Sequence, residues 1–118
     1  IYRELAAKMA DKVGLVRDET GLQDAAQCVA ALKTRYTQVG LRHRGKLYNH
    51  ELLTWYELGS LLDVAQAVVV AAQARKESRG VHQRDDFPTT NDTEWQHHSL
   101  VTAGPAGPIF ATSPVNTD

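Results

Sequence analysis

The segment from His50 to Ser78 limits the choice of folds more than any other part of this chain. It keeps helical spacing without a proline and is apolar on most of its sides from Leu61 to Ala72. A helix over that segment is on the order of 40 Å long at roughly 1.5 Å per residue. Asn49 is placed to cap its start and Glu51 to sit in its first turn, where a carboxylate favours the positive end of the helix. The first half is amphipathic through Leu52, Leu53 and Tyr56. The second half carries Leu61, Leu62, Val64, Val68, Val69 and Val70, which require partners on more than one face. Two shorter helices cannot cover all six, so an exposed apolar remainder is expected.

Two such shorter helices precede it. Leu5, Met9 and Val13 recur at helical spacing with Ala6 alongside, and the pattern stops at Gly14. Thr20 and Gln23 have capping-box spacing. Beyond them Leu22, Ala25, Ala26, Val29, Leu32 and Tyr36 line one stripe, with Lys33 on the solvent side and Gly40 as the stop. The predicted fold class is all-α: a three-helix bundle of the spectrin-repeat kind over residues 1–80. Residues 81–118 form a C-terminal extended segment packed on the bundle or on a partner domain. In that segment Leu100-Val101 and Ile109-Phe110 flank Gly104-Pro105-Ala106-Gly107-Pro108, which leaves either an irregular extension or a short β-hairpin with a long turn.

A chain of 118 residues buries one core. Thirteen basic and fourteen acidic residues give a formal net charge of -1, which removes the general attraction nucleic-acid binders rely on. The best apolar run, Val68 to Ala72, is about a quarter of the roughly 20 residues that a membrane span takes, so direct membrane insertion is not expected. The single cysteine, Cys28, excludes an intrachain disulfide, fits a reducing compartment and reads as a buried structural thiol. Residues Ile1 to Val13 have mixed charge at helical spacing instead of a leader's basic head and apolar middle, and the chain reads as an excised domain.

Several motifs imitate chemistry. Gly40-Leu41-Arg42-His43-Arg44-Gly45-Lys46-Leu47 copies a P-loop until its last position, where Leu47 cannot hold magnesium; it also follows a helix instead of a strand. The five histidines, His43, His50, His82, His97 and His98, lack paired zinc-ligand spacing, and adjacent His97 and His98 point apart. Ser78, His82 and Asp85 could be drawn as a nucleophilic triad, yet nothing places a strained elbow or oxyanion hole at Ser78. Asn91-Asp92-Thr93 reads as a turn whose side chains bond to the backbone. No catalytic, cofactor-binding or metal-ligating residue is assigned.

The densest charge lies at the helix exit, Ala74 to Pro88. Arg75 and Lys76 suit the negative end of a helix. Arg79, His82 and Arg84 lie beyond it, with Glu77, Asp85 and Asp86 as partial counter-charge. Guanidinium groups so placed either pin their own loop or meet a neighbouring domain or subunit, and the three are the candidate interface residues.

The exit, together with Asn91 to Leu100, resembles the C-terminal domain of the flavoprotein subunit of succinate dehydrogenases and fumarate reductases. Val13 to Arg17, Tyr48 to Leu53 and Glu57 to Ala65 are similar to that family as well; Ser99 to Val115 is similar only loosely. L-aspartate oxidase is a related alternative, close through Val13 to Arg17, and a free-standing helical interaction module is the reading without an enzyme parent. The resemblance implies a three-helix bundle packed on an upstream flavin-binding domain. FAD and the substrate-handling residues then lie in the parent and not in this chain. In the respiratory enzymes it further implies an iron-sulphur subunit docked nearby and a cytoplasmic placement, peripheral to the inner face of the membrane.

Overall fold

A computed structural model describes residues 1–42 and 49–116. Helix α1 runs over Tyr2–Lys12, α2 over Glu19–Arg42 and α3 over Asn49–Ala74. The three-helix bundle is therefore present, but the fold is not purely α. A two-residue strand β1 (Val16–Arg17) pairs in parallel with β2 (Gln83–Arg84), and a short helix α4 (Asp92–Trp95) leads into an antiparallel hairpin of β3 (His97–Gly104) and β4 (Gly107–Pro114).

Each helix buries the stripe its sequence lays down. Leu5 and Val13 from α1 and the residue after it, Leu22, Ala25, Val29 and Leu32 from α2, and Leu62, Ala65, Val69 and Ala72 from α3 are the buried apolar residues. They form two contiguous clusters bridged by Met9. Ile1, Tyr36 and Leu58 flank the one at the far end, and Val13, Leu22 and Val69 belong to the one beneath the exit of α3. Each fully buried Leu or Val contributes roughly 1.5–3 kcal/mol relative to exposure. Lys33 is drawn in to Asp63 (2.8 Å) and Gln66 (2.7 Å), tying α2 to α3. Cys28 is half-buried against the first cluster, less enclosed than expected.

The apolar excess of α3 divides between two faces. Leu62 and Val69 are inside, whereas Leu61, Val64 and Val68 remain 45%, 60% and 40% exposed. By length and composition alone Leu52–Ala74 is long and apolar enough to cross a membrane, although no unbroken apolar run in it is, and the core helix of a bundle meets the same criterion. The sequence expectation counts unbroken apolar runs, while helix composition averages over alanine and glutamine as well. In the bundle the same composition supplies an inner stripe and an outer one.

Four sequence boundaries move. Helix α2 starts two residues early for a Thr20 cap: Asp18 accepts from the Gly21 N–H (2.6 Å), and Gln23 donates to Glu19 (3.0 Å). It continues through Gly40 to Arg42, since one glycine costs a helix only about 1 kcal/mol. Helix α3 ends at Ala74 and not at Ser78, because the carbonyls of its last turn are taken by a side chain from outside the helix, described below. The hairpin turn is Pro105-Ala106 alone, with Gly104 opposite Gly107. Pro108, which lacks an N–H, is tolerated inside this two-stranded sheet because each strand is an edge. Gly59 shows one close approach in the bundle: a Cβ there would lie 2.6 Å from the Tyr36 hydroxyl, which donates to the Trp55 carbonyl (2.8 Å). Of the P-loop imitation, Gly40 to Arg42 end α2, and His43 to Leu47 lie outside the described residues.

Candidate docking site at the exit of α3

Past Ala74 the helix gives way to an irregular segment with a bend at Glu77, onto which Arg75 and Arg79 both fold. Glu77 is fully buried. One of its oxygens accepts from the Nε of Arg75 (2.9 Å) and the Nε of Arg79 (2.9 Å). The other accepts from Arg79 Nη2 (3.3 Å) and the Asn91 N–H (2.8 Å). Burial pushes the Glu77 carboxyl up, but the bonds from Arg79, Asn91 and Arg75 outweigh it and hold it below the usual carboxylate range. Arg75 also donates to the His97 carbonyl (3.0 Å), the Ser99 hydroxyl (3.0 Å) and the Trp95 carbonyl, and lies over the Trp95 ring. It does not offset the helix dipole as its sequence position suggested; it carries α4 and the hairpin.

The Arg84 guanidinium is buried, and its surroundings explain where α3 stops. Nη1 donates to the carbonyls of Ala72 (3.3 Å) and Gln73 (3.1 Å), two of the acceptors that a helix C-terminus leaves unpaired. The Nε and Nη2 groups form a two-pronged pair with Asp86 (3.0 and 2.7 Å), and Nη2 also reaches Glu19 (2.9 Å). Asp86 in turn accepts from the backbone N–H of Glu19 (3.2 Å), the first residue of α2. One arginine–aspartate pair thus places its cation at the negative end of α3 and its anion at the positive end of α2. The pair holds the Asp86 carboxyl below its ordinary range and Arg84 above its own.

Arg79 and His82 close a tight turn between them. Their backbones exchange two hydrogen bonds (2.7 and 2.9 Å), with Gly80 at φ 58 in the first central position, which only glycine takes freely, and Val81 at the tip 77% exposed. The Arg79 guanidinium, a third exposed, is held by Glu77 and Asp92, and these raise its pKa. The His82 ring is gripped on both sides by Arg17 and the Arg75 carbonyl (3.0 Å each).

All three sequence-designated residues therefore converge on one exit, and all three side chains are engaged inside the chain. Ser78 is not a nucleophile paired with His82: its hydroxyl accepts from the Arg84 N–H (2.9 Å) and donates to the Phe87 carbonyl (2.7 Å). Asn91 makes the expected turn bond, to the N–H of Glu94 (3.2 Å). His97 and His98 alternate, the first half-buried and the second exposed. Among the described residues no cluster of three or more His, Cys, Asp or Glu could hold a metal. Glu19, Arg17 and Asn91 are the members of the site that sequence reasoning did not assign to it. Glu77 is legible as counter-charge within the cluster, whereas Arg17 and Glu19 arrive only through tertiary pairing.

Residues 2–118 match the family model for the fumarate reductase flavoprotein C-terminal region. The chain belongs to that family. It is the C-terminal domain of a fumarate reductase or succinate dehydrogenase flavoprotein subunit, and this reading fits over the aspartate oxidase and free-standing alternatives. The domain is 36% identical to the fumarate reductase flavoprotein subunit of Haemophilus influenzae, over 98% of this chain and 19% of that protein. It is 34% identical to the succinate dehydrogenase flavoprotein subunit of Rickettsia bellii, over 86% of this chain and 17% of that one. Among solved structures it superposes on a quinol-fumarate reductase holding menaquinol molecules with a TM-score of 0.88 at 29% identity. The overlap covers 98% of this chain and 21% of that one. The C-terminal domain thus spans about a fifth of the length of these relatives.

Proposed function

We propose that this domain is the scaffold and docking domain of an FAD-dependent flavoprotein subunit that interconverts succinate and fumarate. The flavin-binding domain of the parent chain is its first partner and an iron-sulphur subunit its second. The parent sits in the cytoplasm, peripheral to the inner face of the membrane. FAD and the groups that handle the dicarboxylate belong to the remaining four-fifths of the parent, and residues 1–80 and 81–118 divide here into a bundle and a segment that wraps its exit.

The observation that carries this reading is the outer stripe of α3, where Leu61, Val64 and Val68 stay exposed although the inner stripe is complete. A run of branched apolar side chains left to water is destabilising in isolation and marks a contact. At the exit, Val81 presents a second apolar point on a turn whose shape is set from behind by Arg79, His82 and Arg84. These three are interface residues by virtue of holding that turn. Full-length flavoprotein subunit carrying Val64→Glu and Val68→Glu tests it: helical content should persist while flavin retention and co-purification of an iron-sulphur partner fall several-fold. Unchanged flavin content and assembly would remove the docking role from α3.

A further inference from the structure

The two hydrogen bonds to His82 fix its proton. A guanidinium can only donate, so the contact from Arg17 Nη1 to Nδ1 (3.0 Å) makes Nδ1 an acceptor, and the ring hydrogen must sit on Nε2, donated to the Arg75 carbonyl (3.0 Å). Arg17 belongs to β1 and also donates from Nε to the Gly14 carbonyl (2.9 Å), so it secures the turn between α1 and α2. His82 directly precedes β2. The ring thus lies across the β1–β2 pairing, in which Val16 aligns with Gln83 and the Asp85 N–H donates to the Arg17 carbonyl (2.8 Å).

The charged groups facing the ring are the guanidinium groups of Arg17 from β1, Arg84 from β2 and Arg75 from the exit of α3. The neighbouring carboxylates are directed elsewhere: Glu19 and Asp86 to Arg84, Glu77 to Arg75 and Arg79. A second proton on His82 would abolish the acceptor that Arg17 needs and add a cation to this cationic set. We propose that His82 is a proton-sensitive latch: neutral, it fastens the α1–α2 turn to the exit of α3, and protonated, it lets the β1–β2 pairing open.

Burial, followed by Arg17, Arg84 and Arg75, lowers the imidazole below its ordinary value of about 6.5, against the opposing pull of the Arg75 carbonyl. The latch is accordingly at full strength above about pH 6.5 and is lost as pH falls through the lower value of the closed state, because opening takes up a proton. Within that window the open fraction rises by up to about tenfold per pH unit.

Nuclear magnetic resonance of the ring nitrogens, with amide exchange at Asp85 corrected for the intrinsic rate, tests this in the intact chain. Expected are the Nε2–H tautomer at neutral pH and, in the window, faster opening at Asp85 that is absent from His82→Gln, whose amide can accept from Arg17 and donate to Arg75 without titrating. An Nδ1–H tautomer, a flat pH response in the unaltered chain, or the same acid response in His82→Gln would overturn the latch. If His82→Gln fails to fold, Arg17→Met replaces it: the titration of His82 should then move upward, and an unmoved titration overturns the proposal.

Discussion

The two halves of the inner surface of this domain are held by opposite chemistry. The bundle interior from Leu5 to Val69 is apolar, redundant and built from residues whose neighbours can relax around a loss. The exit of α3 buries Glu77, Ser78 and Arg84 almost completely, and each is satisfied by partners that have no substitute. Apolar contacts are numerous and individually small, so the first region should fail gradually. Buried ionic groups are stable only while every partner is present, so the second should fail as a unit.

Arg84→Ala gives the largest expected effect. It strands Asp86, Glu19 and the last carbonyls of α3 together, and denaturant unfolding should show a loss of about 3–5 kcal/mol. Leu62→Ala, at a fully enclosed bundle position, should cost about 2–4 kcal/mol by the same measurement. A Leu62 loss clearly exceeding the Arg84 loss would break the contrast between the regions. Lowering the pH sharpens it. The folded-state carboxyl of Glu77 titrates below its ordinary value, so its stabilisation is complete above about pH 4.5 and disappears as pH falls through the lower folded value. Glu77→Gln should flatten that acid limb of a stability–pH curve, and Leu62→Ala should shift the curve down without changing its shape. Gly59→Ala forces Tyr36 off the Trp55 carbonyl and should lower stability by about 1 kcal/mol, visible as a change in tyrosine fluorescence. Arg35→Ala removes an exposed pair with Glu4, and its unfolding midpoint should coincide with that of the unaltered chain.

The same contrast governs what could be read from residues alone. Helix periodicity identified α1, α2 and α3 and the members of their buried stripes, because 3.6-residue spacing is a local property of the chain. The exit was recognised as dense charge, with Arg79, His82 and Arg84 in it, but its wiring was not legible. Arg17 and Glu19 reach His82 and Arg84 from 65 positions away, and no local pattern encodes such pairs. The end of α3 is hidden for the same reason: Ala74 is the last helical residue because Arg84, ten residues on, occupies the carbonyls of the final turn. The hairpin turn looks longer in the sequence than it is, because Gly104 and Pro108 resemble loop residues although both lie within paired strands.

The parallel pair of β1 and β2 is only two residues wide, yet it joins positions 67 apart and so encloses α2 and α3 in a single loop of chain. Closing a loop of that size costs conformational entropy that the few hydrogen bonds of so short a pairing could not repay in an unfolded chain. The ring can shut only after the helices have already brought its ends together. The exit therefore acts as the completion signal of folding. Arg84 and Glu19, which lie at the two ends of that loop, can meet only in a domain whose bundle is finished.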